Sequence, residues 1–150
     1  MRGERVAEYL IVTRPEVSGE FPDYVEARIQ LALLLDDSGR SKEAAAHYER
    51  VLQMNPDNRQ AHYFLAGDLL KSGRVEEAIR HLLETTKVED NFTPVCMQAL
   101  AIAYERAGNR ERAVYYLRQA RQRAVSRGTK DLASQLQRDI DRLSAEVGRP

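Results

Sequence analysis

One local pattern occurs three times in this chain, spaced by 34 and then 35 residues, and a repeat of that length confines the fold to stacked small units. Ala32 precedes Gly39 by seven positions, as Ala66 precedes Gly73 and Ala101 precedes Gly108. An alanine follows each glycine at five positions, as Ala44, Ala78 and Ala113, and a larger residue comes four later, as Tyr48, Leu82 and Leu117. Four residues are about one helical turn, so each alanine shares a face with its large partner.

Before each glycine the apolar residues also keep a helical period: Leu31, Ala32 and Leu35; Leu65, Ala66 and Leu69; Leu100, Ala101 and Tyr104. Each unit therefore reads as two helices, the first ended by its glycine, with the alanines letting the backbones approach. Pro22-Asp23-Tyr24-Val25-Glu26 and Pro56-Asp57-Asn58-Arg59-Gln60 read as helix starts, with Asp23 or Asp57 capping and Glu26 or Gln60 reaching back. Thr93-Pro94 opens the third pair, with threonine as the cap and proline at the first helical position. The extra residue of the 35-residue step falls around Asp90-Asn91-Phe92.

Over residues 25–127 these offsets resemble the tetratricopeptide repeat family, whose 34-residue helix-turn-helix unit carries small and large residues at the same places. The aromatic that commonly opens the family motif is replaced by Arg28, His62 and Met97, and the closing proline remains only as Pro56, with Asp90 and Val125 in the later copies. The resemblance implies an all-α, right-handed α-solenoid of antiparallel helix pairs in a single domain. Its units are residues 25–58, 59–93 and 94–127, with a capping segment at 128–150.

It further implies a non-catalytic scaffold in which the first helix of each pair lines a concave groove for a peptide or helix of a partner. The groove positions are then Ile29, Leu33, Asp36, Tyr63, Gly67, Leu70, Gln98, Ile102 and Glu105, with Tyr63 the leading anchor because an aromatic offers large area at low entropic cost. The same side chains could instead pack between repeats, and both readings stand on sequence alone. A chaperone-tail clamp of the kind found in one subgroup needs a basic cluster in the groove, which these positions lack.

Beyond Gly128, Leu132, Leu136, Ile140, Leu143 and Val147 share one face, which predicts an amphipathic capping helix over 130–146. Residues 1–24 pattern as a short helix bearing Val6, Tyr9, Leu10 and Thr13, then a loop before Pro22. This stretch could be the remnant of an upstream repeat, in which case the chain is an excised piece and an uncovered N-terminal face favours a homodimer. The opening Met1-Arg2-Gly3-Glu4-Arg5 does not pattern as a signal peptide, and no apolar run approaches the roughly 20 residues of a membrane helix, so a cytoplasmic protein is expected.

Charge supplies a second reading. The 23 basic and 23 acidic side chains of the 150 residues cancel, but 1–103 hold 12 basic and 17 acidic, whereas 104–150 hold 11 and 6. Arg118, Arg121, Arg123 and Arg127 concentrate the excess, so the basic C-terminal third could meet an acidic protein, a polyanion or nucleic acid. No interleaved aromatic platform is read beside them, which argues against single-strand stacking.

Catalytic chemistry has little to stand on. His47 and His81 occupy equivalent places in successive units, and His62 lies on another helix, so no metal or shared catalytic role is expected of them. Cys96 reads as a small buried hydrophobe. Asp36-Asp37, Glu76-Glu77 and Glu89-Asp90 sit beside turns or on helix faces without the surroundings of a dyad. With no phosphate loop, nucleophile elbow or metalloprotease motif, no cofactor is called for, and the remaining enzymatic reading is a substrate-recruiting arm of a larger enzyme.

Overall fold

The computed structural model describes residues 23–147, and among these the regular structure is entirely helical. The helices are α1 (Asp23–Asp37), α2 (Ser41–Met54), α3 (Arg59–Lys71), α4 (Val75–Thr85), α5 (Thr93–Arg106), α6 (Arg110–Ser126) and α7 (Lys130–Val147). The chain divides into two compact units whose boundary falls within α3, the first ending at Asp68 and the second beginning at Leu69. The expected short helix over Val6–Thr13, the Asp23 capping box and the N-terminal face lie wholly or partly outside the described residues.

In the first unit α1 packs on α2. Ala32 and Ala44 are fully buried where the backbones must come close, with Leu31, Leu35, Tyr48 and Val51 filling the space around them and Ala61, Leu65 and Ala66 adding the apolar face of α3. In the second unit α4 packs on α5, α5 on α6 and α6 on α7. Ala78, Leu82, Leu100, Ala101, Ala113 and Leu117 repeat the small-and-large arrangement, and Leu136, Ile140 and Leu143 bury the apolar face of α7. The helix read over 130–146 is α7, one residue longer at its end.

Four corners share one hydrogen-bond pattern. Gly39 N–H donates to Asp36 O at 2.9 Å and Arg40 N–H to Leu35 O at 2.8 Å, the paired closure that satisfies the last carbonyls of a helix. Gly73, Gly108 and Gly128 repeat it, all four with φ between 72° and 79°, where a side chain would crowd the backbone. Arg40 then places two hydrogen bonds on Glu43, at 2.8 and 2.7 Å, and Arg74 does the same to Glu77 at 2.7 and 2.6 Å, fixing the start of the second helix. At the third corner the Asn109 side chain accepts from Arg112 N–H instead.

Two helix starts differ from expectation. Asn58, not Asp57, caps α3, its Oδ1 accepting Ala61 N–H at 2.9 Å. Asn55-Pro56-Asp57-Asn58 closes as a turn through Asn58 N–H to Asn55 O, and that turn makes Asn58 the residue flanking the helix. Thr93 does not cap α5 either, because Phe92 flanks the helix. The fully buried Thr93 instead ties down the connection before it, its Oγ1 accepting Asp90 N–H at 2.8 Å and donating to Val88 O at 2.9 Å.

Candidate functional site

In the first unit the expected partner-facing residues separate. Ile29 is completely buried and belongs to the core, because it lies on the same face of α1 as Ala32. Leu33 is half-buried, and the neighbouring Leu34, which the groove reading passed over, is 40% exposed. Asp36 is turned toward α2, accepting Ser41 Oγ–H at 2.8 Å on Oδ1 and Tyr48 O–H at 3.3 Å on Oδ2. Burial first, and then the charge of Asp36, push the Tyr48 phenol far above its ordinary range.

Tyr63 is half-buried on α3 and meets Phe64 edge-on at 5.4 Å, while Phe64 stacks on Tyr48 at 5.8 Å. The favoured aromatic anchor is thus backed by a ring that rests on the core. One turn on, Gly67 faces open space, since a Cβ added there would meet nothing within 4 Å.

In the second unit Leu70 is half-buried, and its carbonyl accepts Arg106 Nη1–H at 3.0 Å. Gln98, Ile102 and Glu105 lie on one face of α5 at helical spacing. Ile102 is 43% exposed between the buried Ala101 and Ala103. Glu105, half-buried beside it, accepts from both Nη nitrogens of Arg142 from α7, at 2.7 and 3.2 Å. That hydrogen bonding, aided by the positive charge, holds the Glu105 carboxyl below the usual range. The face therefore presents one amide, one apolar side chain and one neutralised acid.

Models of the tetratricopeptide repeat family match residues 29–92 and 95–126 of this chain. The chain belongs to the tetratricopeptide repeat family. It is 34% identical over 79 residues to the TPR repeat-containing thioredoxin TTL4 of Arabidopsis thaliana, a match that covers 53% of this chain and 11% of that protein. In structure it is similar to the Yersinia enterocolitica type III secretion translocator chaperone SycD, with a TM-score of 0.79 and 15% identity over 91% of this chain and 94% of that one. YrrB, a TPR protein with an unusual peptide-binding site, is similar at a TM-score of 0.65 and 19% identity, over 76% of this chain and 57% of that one. The fold is accordingly an all-α, TPR-like solenoid.

The basic patch expected on this tetratricopeptide repeat protein is divided. Arg118 and Arg121 are exposed, but Arg123 and Arg127 both converge on Glu89, at 2.9 and 2.8 Å. Hydrogen bonds from Arg123 and then Arg127 hold the Glu89 carboxyl below its usual range. Two of the four arginines are thereby spent within the second unit. A sequence signal was there to be used, since Glu89 and Arg123 are 34 residues apart, one repeat length.

An aromatic group near these arginines was missed by the sequence reading. Tyr104 stacks on Tyr116 at 5.5 Å, Tyr115 meets Tyr116 edge-on at 5.1 Å, and Arg112 lies over the Tyr104 ring. Tyr115 is 57% exposed, one turn before Arg118 on α6.

Of the residues considered for chemistry, Cys96 is buried, and His62 is buried with its Nε2 2.8 Å from Pro56 O, so Nε2 carries the proton. Among the described residues, no group of three or more histidine, cysteine or acidic side chains could hold a metal, and no helix is long and apolar enough to cross a membrane.

Proposed function

We propose that this chain is a non-catalytic interaction module that holds an extended or helical segment of a protein partner against the first helices of its pairs. The observation that carries the reading is Ile102. An apolar side chain 43% exposed on a first helix, between two buried alanines and beside a neutralised Glu105, offers a contact for an apolar anchor without the cost of stripping water from a bare charge. Gln98 supplies a hydrogen-bonding amide on the same face. In the first unit Tyr63, backed by Phe64, supplies an aromatic contact next to the open backbone of Gly67, and the half-buried Leu33 is an apolar side chain of α1. Leu70 extends the apolar character of α3 in the second unit.

YrrB, described as having a peptide-binding site, and SycD, a chaperone, support a protein ligand for this fold. The division of the basic patch by Glu89 weighs against a polyanion as principal partner. The test is capture from the source lysate with the wild-type chain beside Ile102→Glu and Tyr63→Glu. The reading expects a discrete partner that both variants lose while helicity and melting are retained. Equal capture by all three chains removes these faces from the interface, and turnover of a substrate by the purified chain overturns the non-catalytic assignment.

A further inference from the structure

Arg28 stands on α1 where the repeat commonly carries an aromatic, and the charge it brings there has no matching anion among the described residues. The residue is only 7% exposed, and its Nε is buried without a hydrogen-bond partner. Nη1 lies 3.4 Å from Nδ1 of His47 on α2. A guanidinium only donates, so Nδ1 is the acceptor and carries no proton. Arg28 thus has a long hydrogen bond to a neutral acceptor.

Arg50, one turn beyond His47, adds a second positive charge. Burial and then the Arg50 charge hold the Arg28 guanidinium below its ordinary range. Glu43, one turn before His47, is already engaged by Nε and Nη2 along one edge of the Arg40 guanidinium. Among the described residues no carboxylate pairs with Arg28.

A buried charge without a counter-ion is costly, and the geometry of the guanidinium defines what can meet it. The unpartnered Nε–H and the Nη2–H beside it make one edge of a planar fork, which a carboxylate meets with two parallel hydrogen bonds, as Glu43 meets Arg40 and Glu77 meets Arg74. We propose that Arg28, with Arg50 and His47, is a receiving site for a protein carboxylate, built from residues other than those assigned to the partner above. Two sources share this chemistry: an acidic side chain or C-terminus of a partner, and the glutamates Glu4, Glu8, Glu16 and Glu20 of this chain.

The 150-residue chain labelled with ¹⁵N tests the site directly, because a buried arginine Nε–H gives its own resonance, assigned by its loss in Arg28→Met. The probe is the peptide acetyl-Glu-Glu-Glu-amide, with acetyl-Gln-Gln-Gln-amide at equal concentration as control. A saturable shift of the Arg28 Nε–H with the glutamate peptide alone, weakened about tenfold by Arg50→Gln, supports the site and a partner as its source. If the wild type does not respond but the chain carrying Glu4→Gln, Glu8→Gln, Glu16→Gln and Glu20→Gln does, the site is supported and this chain's own carboxylate fills it. No shift in either chain, or an equal shift with the glutamine peptide, overturns the proposal.

Discussion

Arg142 holds Glu105 across 37 residues of sequence, through two hydrogen bonds that join α7 to α5 beside the exposed Ile102. The last described helix therefore shares an electrostatic contact with the face on which a partner is proposed to lie. Because the folded state depresses the Glu105 carboxyl, the pair stabilises fully above the unfolded carboxylate value of about 4.3. The contribution is lost as pH falls through the lower folded value. Both side chains are partly exposed, so Arg142→Ala is expected to cost about 0.5 kcal/mol at neutral pH. Denaturant titrations at a series of pH values should show that cost shrinking in acid, and a constant difference would mean that Arg142 acts through packing.

Removing the acid at position 89 releases two arginines. Glu89→Gln is expected to raise the salt concentration at which the protein elutes from heparin, because Arg123 and Arg127 become available to a polyanion. The rise should disappear when Arg123→Gln and Arg127→Gln are added. Unchanged elution on Glu89→Gln would show that the pairing does not govern the charge presented by α6.

Two glycines are expected to respond in opposite directions to the same change. Gly39 has φ +77° and nothing within 4 Å of an added Cβ, so Gly39→Ala should cost about 1 kcal/mol through the backbone alone. Gly67 lies inside α3 with equally open surroundings, so Gly67→Ala should stabilise by about 0.5–1 kcal/mol. Thermal melts distinguish these outcomes. Destabilisation by Gly67→Ala would reveal a close approach at that face.

The hydroxyl of Tyr48 links the core of the first unit to Asp36. Tyr48→Phe should cost about 1 kcal/mol at neutral pH for the lost hydrogen bond. A phenol raised in the folded state keeps its proton while the unfolded chain releases one above about pH 10. Stability therefore falls as pH rises past that point, and it should fall less in Tyr48→Phe. Parallel alkaline unfolding curves for the two proteins would exclude this linkage.

What sequence conveyed well was whatever closes locally. The corner glycines, the buried alanines and the apolar face of α7 each depend on residues within a turn or two, so their spacing shows directly in the chain. Helix caps were less legible, since Asp57 and Asn58 are adjacent and equally able to accept an amide, and only the Asn55–Asn58 turn selects between them. Thr93 has a composition suited to capping, but its burial turned the hydroxyl back toward Val88. The candidate site was harder again. Whether Ile29 or Ile102 is exposed depends on which neighbour covers each helix face, and the partners of Glu89 and Glu105 come from a repeat length away.

The corners carry one more consequence. Each glycine reversal is tied by hydrogen bonds spanning no more than six residues, so the two helices it joins are held near each other with little loop entropy to overcome. Gly39, Gly73, Gly108 and Gly128 are thus four separate places at which ordered structure can start and spread to its neighbours. A chain organised in this way need not wait for one distant encounter to begin folding, and damage at one corner leaves others from which to start.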